Sequence, residues 1–233
     1  MELTPYTIPL WTVTVVGSGL AALTAYYHEQ KGAYSLFAVF AGAVIWAGGY
    51  AMEFSATTGG QAWFWFNVRV LGSTIVPTAI LVLALRLTGR DSLISARNVA
   101  ALAVVPVLTN VLVWTNYANL WMTANPVYYP NGPVHIDPSF GPWFLLYAYY
   151  SLGLAVAAIG LFGQAVLERR EESVVNTTTA FLAATALPTA GTAAYVIGVS
   201  QVDLGPYAFV VSGVLIVAAM FYRSLLEDPA ATG

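Results

Sequence analysis

The chain has 233 residues, 58% of them hydrophobic and 8% charged, with a formal net charge of −3. A soluble domain is about a quarter charged, so this composition leaves too few polar groups to cover a globular surface and excludes an ordinary soluble enzyme. The acidic balance, with a pI near 5.2, excludes a basic nucleic-acid binder; the lack of cysteine excludes disulfides and thiolate metal sites; and two histidines, His28 and His135, leave little for a metal centre.

A mean hydropathy of +0.71 points instead to an integral membrane protein. A crossing helix needs about 20 apolar residues, so the chain accommodates about seven. Seven apolar stretches are readable: Ile8 to Tyr27, Tyr34 to Glu53, Ala62 to Leu87, Ala96 to Thr115, Trp143 to Leu167, Asn176 to Gly198 and Gly205 to Leu225. The opening MELTPYTIPLW has no basic n-region, so span one reads as an uncleaved anchor. Spans one and six carry small residues four apart, Gly17 and Ala21, then Ala186, Ala190, Ala194 and Gly198, a pattern that lets helices approach closely.

The longest break, Asn116 to Pro142, holds two short apolar runs, 127–129 and 134–136, about an Asn131-Gly132 turn, which predicts a small external β-hairpin. Basic residues fall in alternate breaks. Lys31 follows span one, Arg86, Arg90 and Arg97 surround the break after span three, Arg169 and Arg170 follow span five, and Arg223 closes span seven. The positive-inside rule makes that side cytoplasmic, the N-terminus external and the C-terminus internal. Trp11, Trp63, Trp65, Trp114, Trp121 and Trp143 form the expected aromatic girdle on the opposite side, with Trp46 lying deeper. The expected fold class is therefore all-α: a seven-helix transmembrane bundle with an external hairpin between helices four and five. The bundle spans 1–226, followed by a short cytoplasmic tail, 227–233.

Charge inside a membrane marks a functional candidate. Arg69 lies seventeen residues before Arg86, about 25 Å away along a helix, and Glu53 lies twenty-two residues after Lys31, about 33 Å. The two thus share a depth on adjacent spans, as an ion pair or as ligand contacts; interfacial snorkelling without a partner is the alternative. Pro77, Pro106 and Pro188 fall near the midplane of spans three, four and six and predict kinks, with either a cavity or hinge between those spans or ordinary bending. Asn110, Trp114, Asn116, Tyr147, Tyr150, Tyr195, Gln201 and Asp203 lie in or above the outer half. With Glu53 and Arg69 they are candidates to line an outward-open pocket, although single interhelical hydrogen bonds explain each alone. Asp203, just before Gly205-Pro206, also suits a helix cap. Lys31, the sole lysine, lies in a loop, so covalent retinal is excluded, and no cofactor or metal is expected.

These residues resemble the seven-transmembrane N-terminal sensor domains of histidine kinases, common in archaea and bacteria. The resemblance rests on Trp46-Ala47-Gly48-Gly49-Tyr50-Ala51-Met52-Glu53, on Trp63-Phe64-Trp65-Phe66 with Arg69-Val70-Leu71-Gly72, and on Pro77 and Leu87-Thr88-Gly89-Arg90. It continues through Pro106, Trp114-Thr115-Asn116 and Asp203-Leu204-Gly205-Pro206. It implies a two-component sensor in the cell membrane whose last helix drives a cytoplasmic kinase or transducer, with homodimerisation and an unidentified small ligand. The family's acidic residue in span two falls on Glu53 and its basic residue in span three on Arg69. Its usual histidine after Trp-Thr-Asn is replaced by Tyr117-Ala118-Asn119. Ser224 to Gly233 cannot hold a kinase core, so catalysis is expected outside this chain. Two further readings are a small-solute channel or transporter, against which the inner half offers Gln164 nearly alone, and a structural membrane partner.

Overall fold

The computed structural model describes residues 7–128, 134–168, 172–209 and 211–216. The helices are α1 (Thr7–Tyr26), α2 (Ala33–Phe54), α3 (Gly59–Leu87), α4 (Ala96–Thr115), α5 (Pro142–Glu168), α6 (Glu172–Val196) and α7 (Gly205–Ile216). Among the described residues, α1 to α5 are long and apolar enough to cross a membrane. Helix α6 has the length, 25 residues, but is rich in threonine. Its hydroxyls return to the helix: Thr179, Thr185 and Thr189 each donate to the carbonyl four residues back. Large apolar side chains also face outward, including Val15, Val16 and Leu23 on α1 and Val104, Val107, Leu108 and Val111 on α4. Water would penalise that surface, whereas hydrocarbon accepts it.

Local chemistry sets the helix ends. The Thr58 hydroxyl accepts the Gln61 N–H at the start of α3, and the Ser95 hydroxyl accepts the Asn98 N–H at the start of α4. Asn116, at φ 42°, ends α4 in the left-handed region, where asparagine is better tolerated than most residues. Gly198, expected on the small-residue face of span six, lies beyond the helix at φ +78° and forms its terminal turn. The close contact of α6 is made instead by Gly191, where a Cβ would come within 2.8 Å of the Gly205 nitrogen on α7. Gly17 does serve α1 as expected, meeting Val44 of α2.

Helix α3 sits among α2, α4 and α5, while α1 packs on α2 and α5 on α6. The tightest crossing joins α2 to α3. A Cβ at Gly72 would collide with the backbone at Trp46 and Gly42, and one at Gly49 with the backbone of Arg69. Trp46 meets Phe209 of α7 edge-on at 5.9 Å, which brings α7 against the α2–α3 pair. By contrast α4 is peripheral, burying only Thr109 and Val113. It is tied inward by polar contacts: Trp143 Nε1 donates to the Thr109 hydroxyl at 3.0 Å, and Asn110 Nδ2 to the Thr74 hydroxyl at 2.8 Å.

Strands β1 (Met122–Tyr128) and β2 (Val134–Phe140) pair antiparallel, from Met122 opposite Phe140 to Tyr128 opposite Val134. They are longer than the two runs read from sequence, and the Asn131-Gly132 turn lies outside the described residues. Trp121, assigned to the girdle, is instead 1% exposed, packed on Phe144 at 5.4 Å and Tyr147 at 5.9 Å. An indole ring with aromatic neighbours on α5 buries more area there than at a headgroup boundary. Arg169, Arg170 and Arg223 lie outside the described residues.

Candidate functional site

Faces of two successive helices meet beside one recess. On α2, Trp46, Tyr50 and Glu53 fall at positions i, i+4 and i+7, a single stripe. On α3, Phe66, Arg69 and Ser73 fall at i, i+3 and i+7, likewise on one face. Gly49 and Gly72 carry no side chain between the two helices, so the stripes meet. Arg69 Nε lies 2.8 Å from Glu53 Oε2, with the side chains 6% and 0% exposed. The guanidinium carbon stands 4.0 Å over the Tyr50 ring and 4.4 Å over the Phe66 ring. The depth argument from loop basic residues therefore placed two partners that the fold brings into contact. Such a pair is stable only when both charges are held together, since each alone carries a large desolvation cost.

Arg69 also forms part of the wall of a cavity of about 100 Å³ bounded by α3, α5, α6 and α7. Its polar side chains include Ser73, Tyr147, Thr192, Tyr195 and Asp203; aromatic rings supply much of the rest. The Tyr147 and Ser73 hydroxyls lie 3.2 Å apart, and Tyr195 lines the cavity together with Arg69. Pro77 and Pro188 line this space, but Pro106 does not, and α5 takes the place expected for α4. The reason is the peripheral position of α4, whose proline bends a helix outside the recess.

The start of α7 is built into the same site. Asp203 Oδ1 accepts the Gly205 N–H at 3.0 Å and the Thr192 hydroxyl at 3.0 Å, so the capping reading of Asp203 and its place in the cavity wall both apply. Its own N–H donates to the Tyr50 hydroxyl at 3.2 Å. Burial pushes the Asp203 carboxyl above the usual carboxylate range, opposed by the Gly205 N–H. At the opposite end of the bundle, the exposed Asp91 pairs with Lys31 at 2.9 Å, which holds its carboxyl below that range.

The kinks have partners too. Proline cannot donate to the carbonyl four residues earlier. Pro188 thus frees the Ala184 carbonyl, and Ser212 of α7 donates to it at 2.8 Å. Pro106 frees the Leu102 carbonyl, which takes the Tyr150 hydroxyl of α5 at 2.7 Å.

Other candidates fall elsewhere. Asn110 bonds Thr74 and the Pro106 carbonyl, the interhelical role that explains it alone. Trp114 is 49% exposed against Phe64. Asn116 caps α4. None of the three lines the cavity. Sequence reasoning missed Tyr50, Trp121 and Ser212. Tyr50 had a readable signal, standing three residues before Glu53 on the same helix face; Ser212 had none, since its partner is a carbonyl freed in another helix.

A family model described as the N-terminal 7TM region of histidine kinase matches residues 9–228. The chain belongs to that family. No curated protein matches the chain. In this histidine-kinase 7TM region, the Trp46–Glu53 and Phe66–Ser73 segments that carried the resemblance are the ones that meet in the buried ion pair. The region is a sensor part rather than a catalytic one, and its several apolar helices fit a multi-pass membrane protein.

Proposed function

We propose that this chain is a seven-span input module of the cell membrane, with its N-terminus outside and its C-terminus in the cytoplasm. A stimulus acts in the recess beside Arg69 and shifts α7, whose continuation drives a cytoplasmic kinase or transducer, as a homodimer. The carrying observation is that one cavity wall holds both Arg69, the partner of Glu53, and Asp203, the cap of the last helix. A ligand there favours one bundle packing only by its difference in affinity for the two. The basic loop residues support the orientation. Glu53, Arg69, Tyr147, Tyr195 and Asp203 form the input site; Asn110 and Trp114 hold α4 against α3, and Asn116 caps α4. Pro77 and Pro188 provide the bends that open the recess. Covalent retinal takes no part, since the sole lysine, Lys31, lies between α1 and α2 and not in α7.

The test compares Arg69→Ala with Arg90→Ala in membranes, reading thermal midpoint and kinase output together. Arg90 is a loop residue bonded to Gln164. Arg69→Ala is expected to lose the response and Arg90→Ala to keep it; equal effects overturn the reading. Clear solute flux through protein-containing liposomes favours the channel alternative instead.

A further inference from the structure

The cavity has a chemical direction. At one end lie Arg69, Trp121, Tyr195 and Asp203; eleven residues further along α3, about 16 Å away, lies Ile80, and eight and eleven residues beyond Phe144 on α5 lie Leu152 and Ala155. The first end is rich in donors and the second is apolar. Its charges are already engaged: Arg69 holds Glu53 at 2.8 Å, and Asp203 accepts from Gly205 and Thr192. An anion entering there meets the Asp203 carboxyl and a guanidinium already paired with Glu53, and a cation meets the guanidinium. One donor stands apart. Trp121, 1% exposed and lining the cavity, has an indole N–H without an acceptor among the described residues. Buried polar groups normally find a partner, so this one marks a place for an acceptor atom.

We propose that the cavity binds a small uncharged molecule carrying an acceptor oxygen on an alkyl or aryl body. The oxygen takes the Trp121 N–H at the Arg69 end, and the body extends toward Ile80 and Leu152. This deepens the input-site reading and rests on it. A preformed apolar recess with a few convergent polar groups suits such a ligand, whereas a full charge loses its hydration without a free counter-ion.

Four probes of one chain length test the class: 2-hexanone, hexane, hexanoate and hexylammonium. Uptake is measured on protein in lipid nanodiscs against empty discs, so that partition into lipid is subtracted. Saturable uptake of 2-hexanone, about tenfold tighter than hexane, is expected, with no saturable uptake of the two ions. Trp121→Phe keeps the ring and removes the N–H, and is expected to weaken the ketone about tenfold while leaving hexane unchanged. Ala148→Phe fills the cavity from α5 and is expected to abolish saturable uptake; a thermal midpoint shows whether each variant is folded. Ions bound as well as the ketone, hexane equal to the ketone, or no saturable uptake by folded wild-type protein overturns the proposal. If uptake fails while kinase output still depends on Arg69, the ligand class alone falls. If uptake succeeds while output ignores Arg69, the input reading falls.

Discussion

Arg69 and Glu53 set the energetics at the level of single side chains. Removing the guanidinium leaves a carboxylate in the core, so Arg69→Ala is expected to cost about 3–5 kcal/mol, whereas replacing both with apolar groups of similar volume is close to neutral. Glu53→Leu combined with Arg69→Met should therefore recover most of the loss in a thermal or denaturant assay, yet remain unresponsive. Asp203 supplies a pH signature. Its folded carboxyl titrates above its unfolded value because burial disfavours the charge. The folded state then holds the proton more firmly, so stability is greatest in acid and declines as pH rises through the folded value. Asp203→Asn keeps an oxygen for the Gly205 N–H and the Thr192 hydroxyl but does not titrate. Its thermal midpoint should decline less than the wild type's as pH rises above the ordinary carboxylate range, and matching slopes would remove that role.

Helices communicate here through groups that prolines set free. The Ala184 carbonyl lacks an internal partner because of Pro188, and Ser212 supplies one from α7. Ser212→Ala leaves a buried acceptor unsatisfied, at a cost of about 1–3 kcal/mol. Restoring the α6 N–H with Pro188→Ala should make the Ser212→Ala change nearly neutral, a coupling that a double-mutant cycle measures. The same cycle on Tyr150 and Pro106 addresses the α4–α5 contact. Because α7 carries the proposed output, the α6 cycle should also alter signalling, while the α4–α5 cycle should alter stability alone.

For the molecule as a whole, alternate loops carry the positive charge, and two of those ends pair directly through Lys31 and Asp91. If the chain crosses seven times as proposed, tags at Met1 and Gly233 should be protected on opposite faces of a sealed vesicle. Protease accessibility of both tags from one face would contradict the orientation and, with it, a route from an external recess to a cytoplasmic output.

Composition and charge were enough to read the membrane class, because a chain 58% hydrophobic and 8% charged has no other solvent in which to fold. Spacing was enough to locate α4 at Ala96–Thr115 and to put Glu53 and Arg69 at one depth, because helical rise converts residue number into height. Rotation about each axis was not readable. Every face of a lipid-embedded helix tolerates apolar residues, so the sequence carries little amphipathic signal to say which side turns inward. That choice was made by close packing at Gly42, Gly49 and Gly72, which turned Tyr50 and Arg69 toward each other, and by the crossing of Gly191 with Gly205. Only those tertiary contacts excluded Asn110, Trp114 and Asn116 from the cavity, buried Trp121 in its wall and joined Ser212 to a carbonyl on another helix.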